Sequence, residues 1–343
     1  MTLNLANSGI QEQTGMCFSL PTTAPRSSTS GPPYSCSRLN GSTHLVIQND
    51  KYLEFPYVYV KIYSYLVVVI DTGCGAHNGK DGIPAQELRD FILSDILSPE
   101  QGDHDFLVLC THCHFDHIGG IEAFAASGAM IIASGRDRDF ISPEHLSANS
   151  LCEAFGTKTP RYTIGHLAQD GEELMHNGRS LGLRVIHTPG HTPDSMAIFD
   201  EAERWLFVGD TCYRRRATMP WGEEQDVPII LPLQGNWSDF MDSLEKLENV
   251  VAEAEQQDGE RGVQLAAGHT TSQGSARETL REVIGVCKRI EAGSVPVIAR
   301  MRGDAVAPGG TLGDEIFVFW QDGEEANFSL MAPERFQADF RET

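Results

Sequence analysis

The sequence lacks long hydrophobic runs. No apolar stretch reaches the roughly 18 residues that a membrane-spanning helix needs. The first 40 residues also lack a basic segment followed by an apolar run, which is the pattern of a signal or transit peptide. We therefore expect a soluble, cytoplasmic protein that does not bind membranes.

Positive charge is also scarce. The 26 Lys and Arg residues are outnumbered by 48 Asp and Glu residues, so the formal net charge is −22. A chain this acidic repels the phosphate backbone of a nucleic acid unless a local basic patch overcomes its field. The one compact basic cluster, Arg214, Arg215 and Arg216, fits either a solvated loop or a contact with a substrate anion. The sequence thus predicts no nucleic-acid partner.

Closely spaced cysteines are rare as well. The eight cysteines are scattered through 343 residues, which is typical of reduced thiols. Cys110 and Cys113 form a C-x-x-C, but no second pair completes a thiolate metal site. A separate zinc or redox role for this pair is therefore the less favoured interpretation.

The rest of the chain alternates between strand and helix patterns. Residues 1–43 include a segment rich in Pro, Ser, Thr and Gly, and we expect them to form a loosely ordered arm. Regular structure is predicted over 44–294, and the extension 295–343 contains a hairpin of residues 315–320 and 327–330. Strands and helices interleave in two halves, which predicts one layered α/β sandwich domain rather than a helical bundle or a β-barrel.

The predicted strands are β-branched and aromatic runs bounded by turn residues, and the predicted helices have apolar residues at helical spacing. Besides the hairpin, the strands are 44–48, 57–63, 65–70, 106–110, 130–133, 183–187, 195–199, 205–208 and 263–267. The helices are 83–97, 118–126, 237–256 and 276–292.

Chemistry-bearing residues concentrate in segment 107–120, LVLCTHCHFDHIGG. Alternate residues of an extended segment face the same side, so His112 and His114 can hold one metal. Asp116 and His117 lie past the turn and can reach a neighbouring metal. A chance H-x-H-x-D-H is expected in about one such sequence in a thousand, so unliganded surface histidines are the weaker interpretation.

Further donors follow three later strands. His191 lies in IHTPGHTPDS, Asp210 in WLFVGDTCY and His269 in VQLAAGHT. Each alone is an ordinary polar residue after a strand. Together with the first motif, they provide enough imidazole and carboxylate for two divalent cations that share a bridging group.

The order of these motifs resembles the metallo-β-lactamase superfamily over residues 45–270. The resemblance implies a four-layer αββα sandwich and two zinc ions per chain, with Mn²⁺ and Fe²⁺ as alternative metals. It also implies that Asp71, in VVVIDTG, supports the metal site from behind, whereas a plain strand-end turn is the alternative. The implied ligands are His112, His114 and His191 for one metal and Asp116, His117 and His269 for the other, with Asp210 bridging.

This resemblance implies a hydrolase in which a metal-bound hydroxide opens a small cyclic amide or ester. Two Lewis-acidic ions lower the pKa of a bridging water towards roughly 7. Asp116 is expected to orient the hydroxide and to carry a proton to the leaving group. The partner is thus a small-molecule substrate, and the sequence gives no oligomeric state.

The branch within the superfamily is indicated by residues around the motifs. Asp210 departs from true β-lactamases, and TCYRRRATMPWGEE replaces the Gly-Cys-Gly-Arg type of segment of glyoxalase II enzymes. Tyr213 follows Asp210 by three residues, a spacing that resembles the quorum-quenching lactonases. The resemblance implies that Tyr213 contacts the substrate. The alternative is that its ring packs the loop. Residues 214–237 are predicted to form one wall of an apolar pocket.

The chain thus looks like the lactonase and lactamase branch, which includes fungal γ-lactamases that open benzoxazolinones. The alternative is an acyl-thioesterase acting on an acyl carrier protein or CoA thioester. A non-catalytic binding module is the weakest hypothesis, because every expected ligand position is filled. The tRNA-processing ribonucleases share the ligand pattern, but the acidic charge disfavours them.

Overall fold

Two β-sheets lie face to face in the computed structural model, which describes residues 31–75, 87–97, 104–257, 261–303 and 313–341. The first sheet has seven strands in sequence order. Its first four strands run antiparallel, and the fourth to the seventh run parallel. The strands are β1 (Tyr34–Arg38), β2 (Thr43–Gln48), β3 (Tyr57–Ile62), β4 (Leu66–Ile70), β5 (Asp105–Leu109), β6 (Met130–Ser134) and β7 (His166–Ala168).

The second sheet has five strands in the order β15-β11-β10-β9-β8. β9 and β11 flank β10 in antiparallel pairing, and β11 pairs with β15 in parallel. The carboxyl ends of β9, β11 and β15 therefore share one edge of the sheet. The strands are β8 (Glu173–His176), β9 (Arg179–His187), β10 (Met196–Asp200), β11 (Trp205–Phe207) and β15 (Gln264–Ala266).

Alternating side chains divide the core into layers. Leu66 and Val68 of β4 pack between the two sheets, while Val67 and Val69 face the outer helices of the first sheet. A third apolar cluster joins the second sheet to the two long helices. The predicted four-layer sandwich is confirmed. The helices are α1 (Leu88–Phe91), α2 (Phe115–Ile118), α3 (Ile121–Ala126), α4 (Leu146–Asn149), α5 (Trp237–Gln257) and α6 (Ala276–Glu291).

The predicted C-terminal hairpin is also present, within a larger sheet. β17 and β18 pair antiparallel, β16 pairs with β17, and β14 pairs in parallel with β18. A 3₁₀ segment, Glu334–Arg341, follows. We call these four strands the C-terminal sheet: β14 (Ile229–Ile230), β16 (Val297–Arg302), β17 (Ile316–Gln321) and β18 (Ser329–Pro333). A separate two-stranded ribbon consists of β12 (Arg216–Thr218) and β13 (Glu224–Asp226).

Two local predictions differ from the structure. The prediction of a loosely ordered arm over 1–43 is wrong for Tyr34–Arg38, which forms β1 and pairs with β2. This short edge strand buries little besides Tyr34, and its Pro, Ser and Gly neighbours are typical of loops, so the sequence does not reveal it. Of the predicted helix 83–97, only residues from 87 onward lie in the described part. There, α1 is followed directly by a π-helical segment, Ile92–Ile96. Residues 1–30 lie outside the described part, and the limits 44–294 and 295–343 stay predictions.

Across the described ranges, each helix is either too short or too polar to cross a membrane.

Candidate metal centre

Three histidines converge at one end of the sandwich. His112 and His114 follow β5, and His191 follows β9. The His114 Nδ1 atom lies 3.0 Å from His112 Nε2 and 3.0 Å from His191 Nε2. Nitrogen ligands about 2.0–2.1 Å from a zinc ion are separated by roughly 3–3.5 Å, so this spacing suits a single divalent cation.

A second cluster lies beside the first and contains two histidines and two carboxylates. His117 Nε2 is 3.5 Å from Asp116 Oδ2 and 3.3 Å from Asp210 Oδ1. His269 Nε2 is 3.2 Å from Asp116 Oδ2 and 3.4 Å from Asp210 Oδ2. All four side chains are buried, and their potential ligand atoms lie within 4.8 Å of one another.

Asp210 lies between the two clusters. Its Oδ1 faces His117, whereas its Oδ2 faces His269 and lies 3.9 Å from Nε2 of His191 in the first cluster. A carboxylate in this position can contribute an oxygen to each of two ions. The structure thus brings together all seven side chains that the sequence predicts as ligands.

The other ring nitrogens of three of these histidines are held by fixed acceptors. His117 Nδ1 donates to Asp71 Oδ2 at 2.8 Å. His191 Nδ1 donates to the Ile230 carbonyl at 2.7 Å, and His269 Nδ1 donates to the Glu54 carbonyl at 2.9 Å. Such bonds fix the ring orientation and leave the opposite nitrogen free for a metal.

Asp71 connects this support to the first motif. Besides His117, it accepts hydrogen bonds at 2.8 Å from both the backbone N–H and the hydroxyl of Thr111. Its backbone has φ of 63°, a left-handed conformation that directs the chain away from β4. The geometry favours the supporting role over the plain strand-end turn.

Close packing at the second cluster requires a glycine. A Cβ atom at Gly268 would collide with Asp210 Oδ1 and lie 2.7 Å from His117 Cε1. Gly268 also donates a backbone hydrogen bond to the Gly209 carbonyl at 2.8 Å, which ties the segments carrying Asp210 and His269 together. The AAGHT motif therefore provides the predicted ligand His269 and also a position, Gly268, at which no side chain fits.

The two clusters differ in charge. Burial, reinforced by the neighbouring His191, lowers the pKa of His114 to about 3, and burial also lowers the pKa of His112. Burial acts against the protonated form of His117, but Asp210 and Asp116 raise its pKa well above the usual value. The first cluster thus offers neutral imidazoles, while the second holds carboxylates that require a positive partner.

These residues fit divalent metal ions. Neither His117 Nε2 nor Asp210 Oδ1 has a hydrogen-bond partner among the described residues, although both atoms are buried. A buried polar atom without a partner is costly, and a cation between these two would satisfy both. Imidazole and carboxylate donors suit zinc, manganese and iron.

A cavity of about 140 Å³ adjoins both clusters. At its polar end it is lined by the ligand candidates His114, Asp116, His191, Asp210 and His269. The remaining lining is mostly apolar and aromatic, and within the described ranges it includes no Lys or Arg. A group bound beside the two clusters would therefore meet no Lys or Arg side chain among these residues.

The family model of the metallo-β-lactamase superfamily matches residues 60–282, a range that contains all seven predicted ligands. The chain belongs to this superfamily. Its predicted class, a metal-dependent hydrolase, is thereby confirmed at the level of the superfamily, while the metal's identity and each ligand assignment stay predictions.

Relatives with curated names match the chain over different lengths. The Aspergillus versicolor protein named "Putative transcription factor avaE" is 30% identical over 279 residues, covering 78% of this chain and 80% of that protein. The acyl-coenzyme A thioesterases MBLAC2 of Bos taurus and Homo sapiens are 29% and 30% identical over 164 and 159 residues. Each thioesterase match covers 43% of this chain and 54% of the relative, so the chain spans about half of the relative's length.

Solved structures agree on the fold. A metallo-β-lactamase family protein of Thermus thermophilus has a TM-score of 0.52 at 21% identity, covering 75% of this chain and 82% of that one. The metallo-β-lactamase of Pontibacter korlensis has a TM-score of 0.50 at 17% identity, covering 74% and 99%. At these identities the likeness shows the metallo-β-lactamase fold alone.

Tyr213 lies at the cavity of this metallo-β-lactamase domain, but its hydroxyl is already engaged. The hydroxyl donates to the Pro228 carbonyl at 2.8 Å, and the ring centroid is 5.6 Å from that of His269. This contact holds the segment between β13 and β14 against the site. Direct contact of Tyr213 with substrate stays a prediction.

The arginine cluster is paired with acids of the same molecule. Arg215 forms a two-pronged contact with Asp226, Arg216 Nε lies 3.2 Å from Asp226 Oδ2, and Arg214 lies 3.7 Å from Glu282. None of the three arginines lines the cavity. The contact with a substrate anion, one of the two interpretations of the sequence, finds no support in this geometry.

Part of the predicted pocket wall lies where the sequence placed it. Six residues within segment 214–237 line the cavity: Gln225, Asp226, Val227, Pro228, Ile230 and Pro232. Trp237, the first residue of α5, is instead buried in the core cluster that contains α5 and α6. The wall is shorter than predicted because residues 214–224 do not line the cavity.

Sequence reasoning missed Glu54, whose side chain lines the cavity. Burial, together with the nearby Asp116 carboxylate, raises the pKa of Glu54 to about 8. Its loop is held in place because Asp50 accepts hydrogen bonds from the backbone N–H groups of Tyr52 and Phe55 at 2.7 Å. No motif marks Glu54, since its place depends on the path of this loop.

Proposed function

We propose that this metallo-β-lactamase superfamily member is a dinuclear zinc hydrolase that opens small cyclic amides or esters, such as γ-lactams of the benzoxazolinone type and lactones. The observation that carries the proposal is the pairing of two adjacent donor clusters with a small cavity that is mostly apolar. In this proposal the first ion is held by His112, His114 and His191, and the second by Asp116, His117 and His269, with Asp210 shared.

Two divalent cations held there would supply a Lewis acid for a carbonyl oxygen and would lower the pKa of water near neutrality. The chain's own residues then position the substrate and move the proton. His112, His114 and His191 stay neutral as donors because burial lowers their pKa values. Asp71 keeps the His117 ring in the orientation that the second cluster needs.

Asp116 is the residue that we assign to proton transfer. It is 5% exposed, lines the cavity, and directs its Oδ2 towards His117 and His269. Burial alone would raise the pKa of Asp116, but the histidines beside it lower that pKa well below the usual value. The carboxylate can accept a proton from water and pass it to the leaving heteroatom. In a ring-opening reaction that heteroatom stays tethered nearby.

Cavity size supports a compact substrate. A volume of about 140 Å³ is close to that of an apolar cavity that accepts benzene. Apart from the histidines of the two clusters, the lining has no Lys or Arg in the described part of the chain, so the rest of the cavity offers no cationic side chain to a carboxylate or phosphate. A neutral ring fits these properties.

An acyl-thioesterase is the second candidate, and the relatives named as acyl-coenzyme A thioesterases favour it. Their match covers under half of this chain. A CoA thioester would also carry phosphates towards a cavity that has no Lys or Arg among its described lining residues. The net charge of −22 likewise disfavours a contact with nucleic-acid phosphates, so we do not carry over the transcription-factor role in the avaE protein's name.

A side-by-side assay tests the proposal. The purified chain is loaded with zinc, its metal content is measured by mass spectrometry, and hydrolysis of lactones, lactams and acyl-CoA thioesters is compared. We expect about two zinc ions per chain and the highest kcat/KM for a lactone or lactam. A thioester preferred by about tenfold, or about 1.4 kcal/mol of transition-state free energy, would replace the proposal with the thioesterase.

A further inference from the structure

The C-terminal sheet reaches the cavity beside the metal clusters. Met301 of β16, Phe317 and Phe319 of β17, and Met331 of β18 all line it. Each of these residues lies beyond the 60–282 range that the superfamily model matches. This part of the cavity wall therefore comes from residues outside the matched range.

The opposite side of the cavity is aromatic. Phe115 and Phe155 are stacked with ring centroids 4.3 Å apart and an interplanar angle of 24°. Tyr52 meets both edge-on, at 5.2 Å and 6.1 Å. Phe155 also packs against the apolar cluster that contains Phe317 and Phe319, so this aromatic group adjoins the C-terminal sheet.

The C-terminal sheet is held rigidly in place. Residues alternate along β17, so Val318 and Trp320 pack into the cluster that contains α5 and α6, while Phe317 and Phe319 face the cavity. β17 and β18 are therefore buried on both faces, whereas β16 at the edge of the sheet is largely exposed.

The C-terminal sheet is also connected to the first metal cluster. β14 pairs in parallel with β18 through Ile229–Leu330 and Ile230–Met331. The carbonyl of Ile230 accepts the hydrogen bond from His191 Nδ1 at 2.7 Å. The strand that orients a predicted ligand thus belongs to the same sheet as the apolar wall, which fixes the wall relative to the metals.

We propose that the C-terminal sheet is the specificity wall of the site, and that it selects substrates whose scissile ring is fused to a flat, neutral aromatic ring. The aromatic ring would lie between Phe319 and Phe155, with the scissile bond towards the two clusters. Aromatic rings favour such stacked and edge-on neighbours beyond their buried area alone. The inference rests on the proposed function and sharpens its substrate class.

The test compares γ-butyrolactone with phthalide, its benzo-fused counterpart, on the zinc-loaded chain. Phe319→Leu should lower kcat/KM for phthalide by about tenfold and change that for γ-butyrolactone by less than about twofold. Met301→Ala should act in the same direction. Ile298→Ala is the matched control, because Ile298 lies on the same strand as Met301, is 41% exposed and does not line the cavity.

A binding measurement separates this inference from the proposed function. Indole, a flat neutral bicycle that cannot be hydrolysed, is titrated by calorimetry into each zinc-loaded variant. We expect its Kd to rise about fivefold or more in Phe319→Leu and to stay unchanged in Ile298→Ala. Unchanged indole affinity in Phe319→Leu and Met301→Ala, or equal losses for both lactones, would overturn the specificity wall. Failure of every lactone in the wild-type chain, with indole binding still dependent on Phe319, would instead overturn the proposed reaction.

Discussion

The metal side and the apolar side of the cavity are formed by different kinds of sequence segment. The metal side consists of polar residues at the ends of β5, β9, β11 and β15, where the spacing of the motif dictates which donors meet. The apolar side consists of side chains from the loop before β3, from residues near α4 and from the C-terminal sheet, none of which carries a motif. The donors are thus brought together by local sequence at strand ends, whereas the apolar lining is brought together by long-range packing.

The largest effect is expected where the two metal clusters meet. Asp210→Ala should lower kcat by at least about a thousandfold and reduce the zinc content of both clusters, because the carboxylate lies between them. Metal content is measured by mass spectrometry after dialysis. Asp242→Ala, which removes an exposed carboxylate on α5, serves as the control. Loss of one zinc ion with the other fully retained would show that Asp210 does not bridge.

A smaller effect on zinc binding is expected at Asp71, which contacts the predicted ligand His117. Asp71→Asn keeps the shape of the side chain but removes the negative charge that faces His117 Nδ1. Zinc affinity should fall by about 10–100-fold, as is usual when the partner of a ligating histidine is changed. Competition with a chromogenic chelator measures this affinity. Activity should recover at saturating zinc, and an affinity equal to that of the wild type would return Asp71 to a simple turn residue.

Much of the metal side could be predicted from the sequence. His112, His114, His191, Asp210 and His269 all follow strands whose apolar patterns are visible in the sequence. Because those strands end at one edge of the sandwich, a correct prediction of strand order suffices to bring the donors together. The supporting role of Asp71, by contrast, was implied by the family resemblance of VVVIDTG and not by strand order.

The apolar side could not be predicted in the same way. Alternation along β17 predicts a strand, but not that Phe317 and Phe319 face the cavity while Val318 and Trp320 face α5 and α6. That choice depends on how the C-terminal sheet docks on distant elements. One partner of the arginine cluster could not be predicted for a related reason: Glu282 lies more than sixty residues from Arg214 in the chain.

Asp194 is a buried carboxyl group in IHTPGHTPDS, the segment that also contains His191. It accepts a hydrogen bond from Thr192 Oγ1 at 2.7 Å, and burial raises its pKa to about 7. The folded state thus binds this proton more tightly than the unfolded state, so the resulting stability is complete below the unfolded value of 3.8 and is lost as the pH rises through 7.

Asp194→Asn should remove that pH dependence. Relative to the wild type, its free energy of unfolding should increase between pH 5.5 and pH 8.5, by an amount of order 1–3 kcal/mol. Chemical denaturation at both pH values measures the difference, and pH effects common to both proteins cancel. A constant difference between the two proteins across this range would show that Asp194 does not titrate there.

The smallest effect is expected at Tyr213, where the metal side and the apolar side meet. Its hydroxyl donates to the Pro228 carbonyl, so Tyr213→Phe should cost about 0.5–1.5 kcal/mol of stability and change kcat by no more than about threefold. Tyr59→Phe is the matched control, since the Tyr59 hydroxyl also donates to a buried carbonyl, that of Ala267, away from the cavity. A loss in kcat above about thirtyfold in Tyr213→Phe alone, with zinc content and stability matching the control, would assign the hydroxyl to the substrate, as the lactonase resemblance implies.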